Sequence, residues 1–130
     1  MKHLLLVLAA CGASAPPVTV APVAKSAPIT GPIEEAVLAG KVTLVDFWSE
    51  WCAACIVVAG HVAVAIANDD RIVVRKVDVG DGNTPVALHY QVSALPHWKV
   101  YDTHKRLRYV LIGPEVLRAP TLARELLAEP

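Results

Sequence analysis

Two cysteines three positions apart, Cys52 and Cys55, end an apolar run in the stretch Val42 to Cys55, VTLVDFWSEWCAAC. In the first turn of a helix that spacing puts both side chains on one face, near the α-carbon separation of about 5.5 Å that a disulfide prefers. Such a pair opens and closes without refolding, which is dithiol redox chemistry. Closing so short a loop removes little freedom from the unfolded chain, so a stapling role explains the pair poorly. Cys52 falls where free backbone N–H groups and the helix dipole favour an anion, which lowers a thiol pKa and supplies an attacking thiolate. Cys55, a turn further in, is then the resolving thiol.

The rest of the chain bounds what such a pair can serve. At 130 residues, 55% of them apolar and with no net formal charge, it builds one domain with a substantial core. Its 12 acidic and 12 basic residues are scattered, so no basic face argues for nucleic acid and no charge run for an acidic substrate. His61 makes a conceivable metal set with the two cysteines, but no second Cys pair or His-x-x-x-His follows to complete four ligands. Neither a metal nor an organic cofactor is expected.

The N-terminus reads as targeting. Met1-Lys2-His3 is a positive start, Leu4 to Ala10 an apolar run too short to span a bilayer, and Leu8-Ala9-Ala10-Cys11 a small-residue cleavage pattern. Leu-Ala-Ala-Cys resembles the lipobox of bacterial lipoproteins. That resemblance implies a signal peptide over residues 1–10, lipid on Cys11, and an exported, membrane-anchored, periplasmic or otherwise extracytoplasmic protein. Gly12 to Pro32 hold half of the ten prolines, with almost no charge and no periodicity that could bury a face. Residues 11–32 are thus expected to be a lipidated cysteine and its tether. If extended, about 20 residues at ~3.1 Å each reach on the order of 60 Å.

From Ile33 to the end, residues 33–130, the pattern is that of a folded domain. Ile33 to Ala39 reads as a short helix closed by Gly40, and Val42 to Trp48 as a central strand buried on both faces, interrupted by Asp46. Ala53 to Ala67 is apolar but too long for an ordinary strand, so a helix is expected despite its valines, weakened or bent at Gly60. Arg71 to Val79 is a second strand, Thr84 to Tyr90 a short helix, His97 to Tyr101 and Leu107 to Ile112 two more strands, and Pro120 to Ala128 a final helix. This order implies an α/β fold with a central mixed sheet flanked by helices.

The segment Val45-Asp46-Phe47-Trp48-Ser49-Glu50-Trp51-Cys52-Ala53-Ala54-Cys55 resembles the active-site segment of thioredoxins. Val77-Asp78-Val79, Ala87-Leu88-His89-Tyr90-Gln91-Val92 and Ala94-Leu95-Pro96 resemble the family's stretch ending in an active-site cis-proline, and Gly113 and the last helix fall at family positions. The resemblance covers roughly residues 33–128 and implies a thioredoxin-like fold. Four features depart from the family pattern: Ala53-Ala54 replaces Gly-Pro, Ile56 a frequent lysine, Gly60 the helix-bending proline, and no first strand is legible in the Pro-rich region. They bear on redox potential and partner choice.

Asp46 lies in a strand built for burial, where an unpaired carboxylate's proton affinity rises. By resemblance it helps deprotonate Cys55, through water, when Cys55 attacks the mixed disulfide; the plainer reading is a partly solvated strand-end Asp. By the same resemblance Pro96, after Leu95, is a cis-proline lying against the dithiol with adjacent backbone groups free, where an extended substrate adds as a strand; the plainer reading is an ordinary trans turn proline. Trp51 offers a partner an apolar platform, whereas Trp48 packs beneath the active-site loop. His97, beside Pro96, could tune the thiolate by its charge, but a surface histidine is the commoner outcome.

The expected activity is thiol–disulfide exchange with cysteines of exported proteins. Ala53-Ala54 places no histidine between the cysteines to hold a thiolate, unlike strongly oxidising family members, and the small apolar pair is similar to that of reductive exported domains, a resemblance that implies a reductase fed by a membrane interchange protein. The competing readings are an oxidase or isomerase, a redox-inert peptide-binding module of the same fold, and a zinc-binding module.

Overall fold

The computed structural model describes residues 25–130. The expected signal peptide, Cys11 and most of the tether lie outside the described residues. Five strands, β1 (Ser26–Pro28), β2 (Val42–Trp48), β3 (Ile72–Asp78), β4 (His97–Tyr101) and β5 (Leu107–Ile112), form one sheet in the order β1-β3-β2-β4-β5. β3 runs parallel to β1 and β2, while β4 is antiparallel to β2 and β5. The helices are α1 (Ile33–Ala36), α2 (Ala53–Ala65), α3 (Pro85–His89) and α4 (Ala119–Ala128), the last preceded by a 3₁₀ segment, Gly113–Arg118. This is a mixed sheet flanked by helices, as the family resemblance implies.

β2 is central because both its faces are apolar. Val42 and Leu44 join Val62, Ile66, Trp98, Val100, Leu122 and Leu126 in the core beneath α2 and α4. Val45 and Phe47 point the other way, into a second core with Ile33, Val77, Ala87 and Val92 beneath α1 and α3. Strand alternation therefore puts Asp46 on the α2 side, one step beyond Leu44.

The structure supplies a first strand that is not legible in the sequence, and it falls within residues 11–32, expected to be tether. Ser26–Pro28 pair with Val74–Lys76, flanked by hydrogen bonds from Val74 N to Lys25 O (2.7 Å) and from Ile29 N to Lys76 O (2.9 Å). The strand lies at the sheet edge, where a proline without an N–H is tolerated, and three residues are too few to show a period. Other elements differ only at their ends: α1 stops at Ala36, α2 at Ala65, and Thr84 caps α3 by accepting from Ala87 N.

The β4–β5 turn is organised by Asp102, which is 2% exposed. Its carboxylate accepts from the backbone N of His104 and Arg106 (2.9 Å each), from Arg106 Nε (2.8 Å) and from Arg108 Nη1 (3.2 Å). Arg108 also pairs with Glu129, tying the hairpin to the end of α4. Burial by itself would raise this carboxyl's pKa, but the hydrogen bonds together outweigh it and hold the value at about 2. Asp102→Ala should lower stability by about 2 kcal/mol in urea unfolding at neutral pH, because it strands several donors at once.

Candidate active site

β2 delivers the chain to the dithiol. After Trp48 the backbone turns through Ser49-Glu50-Trp51, with Cys52 N donating to Ser49 O (3.1 Å), and Cys52 becomes the N-cap of α2. Its Sγ accepts from Cys55 N at 3.2 Å, one of the donors that a helix start leaves unpaired. Cys52 and Cys55 are joined as a disulfide with α-carbons 5.3 Å apart. Cys52 is 7% exposed and Cys55 1%, so Cys52 is the sulfur that an incoming thiolate reaches.

A groove of about 630 Å³ is lined among others by Trp51, the residue before Cys52, and by Asp81, Leu88, Val92, Ala94 and Leu95. Trp51 is 62% exposed, yet its indole is fixed by donation from Nε1 to Gly80 O at 2.6 Å. It is therefore a held apolar platform. The Leu95–Pro96 bond is cis, as the family resemblance implies, and Pro96 is buried at the start of β4. No backbone–backbone hydrogen bond among the described residues engages Ser93, Ala94 or Leu95, which leaves this edge able to pair with an extended peptide.

Asp46 lies on the face that α2 covers. It is fully buried, neither carboxylate oxygen has a hydrogen-bond partner, and it lines a second cavity of about 350 Å³ with Ile56, Gly60, Lys76 and Trp98. Burial pushes its pKa up to about 7, against the opposing pull of the Lys76 ammonium and then of the nearby Trp98 N–H, which lowers it although the two groups do not meet hydrogen-bond geometry. A carboxyl that exchanges its proton near neutrality, under the helix that carries Cys55, can take and return a thiol proton.

The family model described as thioredoxin matches residues 30–115. The chain belongs to the thioredoxin family. It is 30% identical over 96 residues to the thioredoxin of Griffithsia pacifica, covering 72% of this chain and 86% of that protein. It is 40% identical over 58 residues to the thioredoxin of Mycolicibacterium smegmatis, covering 43% of this chain, and so spans about half (52%) of that protein's length. Among solved structures, a mutant thioredoxin from Halobacterium salinarum superposes with a TM-score of 0.67 at 20% identity, covering 82% of this chain and 94% of that one. Oxidised thioredoxin from Plasmodium falciparum gives a TM-score of 0.60 at 23% identity, covering 78% and 97%. At these identities the two structures speak to the fold.

Within this thioredoxin-family site, Cys52, Cys55, Trp51, Leu95 and Pro96 gather at one end of the sheet, and Asp46 lies beneath α2. Trp48 is half-buried with the Lys76 ammonium 4.3 Å from its ring centre. Two expectations are corrected. Asp46 is not a solvated strand-end residue, because β2 is covered on both faces as far as Phe47. His97 is not a surface histidine: it is 3% exposed, edge-on to Phe47 at 5.4 Å, with neither ring nitrogen hydrogen-bonded. Burial and then the charge of Lys99 lower its pKa, so it carries no charge at neutral pH with which to tune a thiolate. His61 is exposed, and among the described residues no group of three or more His, Cys, Asp or Glu side chains comes together as a metal site.

Sequence reasoning missed Lys76, Trp98 and the Gly80 carbonyl. Lys76 and Trp98 are the register partners of Asp46 on β3 and β4. The signal was available once the strand order was assumed, since a lysine and a tryptophan then flank a buried carboxylate. The raised pKa also has a consequence for stability. Unfolded, the carboxyl releases its proton near the ordinary 3.8, while folded it holds it to about 7. Stability is therefore full below pH ~4 and falls as pH rises toward 7. Asp46→Asn escapes this loss, so urea unfolding should show it gaining on the native protein between pH 4 and 8, by on the order of 3 kcal/mol. A gap that does not change with pH would contradict the burial account.

Proposed function

We propose that this domain is a thiol–disulfide oxidoreductase that delivers electrons to disulfides of exported proteins, held at a bacterial membrane by lipid on Cys11. The observation that carries the reading is the Cys52–Cys55 disulfide at the start of α2, with Cys52 the more exposed of its two sulfurs and its neighbour Trp51 lining an open groove. In the reducing direction the Cys52 thiolate attacks a substrate disulfide, forming a mixed disulfide and releasing one substrate thiolate. Cys55 loses its proton to Asp46, through water, and attacks Cys52 Sγ. The second substrate sulfur leaves, the Cys52–Cys55 disulfide closes, and two electrons have passed to the substrate. Trp51 and the edge at Leu95-Pro96 hold the substrate strand during both steps.

The direction rests on Ala53-Ala54, which adds no imidazolium to stabilise the reduced pair and so leaves it a willing donor. Anchoring rests on the N-terminal run through Leu8-Ala9-Ala10-Cys11. A membrane interchange protein with its own dithiol would return the electrons.

Insulin reduction with a dithiol donor tests the chemistry. The native protein should turn over, Cys52→Ser should lose essentially all activity, and Cys55→Ser should accumulate a mixed disulfide with substrate on a non-reducing gel. Turnover by Cys52→Ser would overturn the assignment of the nucleophile. Intact mass of the membrane-extracted protein should correspond to a chain starting at a lipidated Cys11, and an unmodified Met1 would remove the anchor.

A further inference from the structure

The cavity beneath α2 holds a polar group that the proposed reaction leaves unused. Asp46 and Trp98 are direct cross-strand partners in the β2–β4 pair, so their side chains leave the sheet on the same face about 5 Å apart at Cβ. Both are almost completely buried, and both line the 350 Å³ cavity. Asp46 Oδ1, Asp46 Oδ2 and Trp98 Nε1 each lack a partner in hydrogen-bond geometry, yet the indole N–H is near enough to pull the Asp46 pKa down, so one donor and two acceptors share one space without being fully engaged. Val100, two residues on, packs against the same core without any polar atom. An indole N–H at position 98 therefore adds a desolvation cost that an aliphatic side chain would not, unless the N–H is paired at some stage of the cycle.

The remaining charges around Asp46 are few. Lys76 flanks it from β3 and Lys25 lines the cavity from the chain entering β1. α2 contributes only Ile56, Ala59, Gly60 and Ala63, and so no polar side chain, to the cavity, and Ile56 directly follows Cys55 in that helix. Lys76 is occupied over the Trp48 ring, and Lys25 donates to Asp69 O at the far end of the sheet. The Trp98 indole can only donate, so it favours the ionised carboxylate, the stronger acceptor, over the protonated carboxyl, whose O–H it cannot satisfy.

We propose that Trp98 is the positioning residue for Asp46: its N–H engages the carboxylate when Asp46 is ionised and holds it ready to receive the Cys55 proton. This rests on the reading of Asp46 as proton acceptor. In the resolving step the proton goes from Cys55 Sγ to the Asp46 carboxylate, the Cys55 sulfur forms its bond to Cys52, and the substrate thiolate departs. Trp98 gives up no proton. When the carboxyl is protonated the indole contact loosens, and it re-forms as the proton leaves.

The test uses the reduced full-length chain mixed with excess 5,5′-dithiobis(2-nitrobenzoate) in a stopped-flow instrument. The first, concentration-dependent phase reports attack by Cys52; the second, concentration-independent phase reports resolution by Cys55. Trp98→Phe keeps the ring and removes the N–H. It should leave the first phase unchanged, move the midpoint of the second phase's pH profile up by roughly one unit, and slow that phase about tenfold near pH 6.5. In an Asp46→Asn background the same change should have no effect on the second phase.

If Asp46→Asn leaves the second phase's pH profile untouched, the underlying reading of Asp46 fails. If Asp46→Asn alters it but Trp98→Phe matches the native profile, or acts equally without Asp46, the role of Trp98 fails while that of Asp46 stands. A readout on the native sequence does not depend on how the variant folds. In ¹H–¹⁵N spectra the Trp98 indole resonance should move with the midpoint of the Asp46 titration, and a resonance that stays still would overturn the proposal.

Discussion

Burying a carboxylate on the core face of a central strand, with neither oxygen hydrogen-bonded, is the constraint to which the rest of this domain answers. Asp46 sits one step past Leu44 on the face that α2 and α4 cover, and its ordinary charge is disfavoured there by loss of solvent. The charge of Lys76, and to a lesser degree the nearby Trp98 N–H short of a formed hydrogen bond, offset part of that penalty from the neighbouring strands, leaving a carboxyl that titrates close to neutrality. A fold selected for stability alone would place an apolar residue at this position. The carboxyl makes sense as a group that must change protonation state beneath a helix whose first turn carries a thiol.

The placement of that thiol follows from the same strand. Because β2 ends at Trp48 beside the start of α2, the chain needs only three residues to bring Cys52 to the helix N-cap. The helix start supplies unpaired N–H groups and a favourable dipole to Cys52, and the helix body shields Cys55. α2 is unusual in exposing Ile56, Val57 and Val64, each more than half exposed, while burying Cys55 and Val62. The sheet is wide enough to cover only one stripe of it.

What could be read from the sequence divides along physical lines. The dithiol, β2, β4, β5 and the proline at position 96 carry local signals: a Cys-x-x-C spacing, long apolar runs and a family motif within a few residues of each. β1 carries none, because three residues with a proline show no period, and it exists only through pairing with β3. The burial of His97 and the pairing of Asp46 with Lys76 and Trp98 depend on strand order and on which face each strand presents. Those are tertiary facts, which composition around positions 76, 97 and 98 does not contain.

The central claim is that Cys52 and Cys55 form a reversible couple poised to give electrons away. Its most direct test is the reduction potential of the full-length chain, obtained by equilibration against glutathione at pH 7 with trapping of free thiols. The account predicts a single two-electron transition near thioredoxin's roughly −270 mV. A midpoint near the roughly −120 mV of strong disulfide donors would contradict the reducing direction, and a pair that cannot be reduced at all would contradict the account itself.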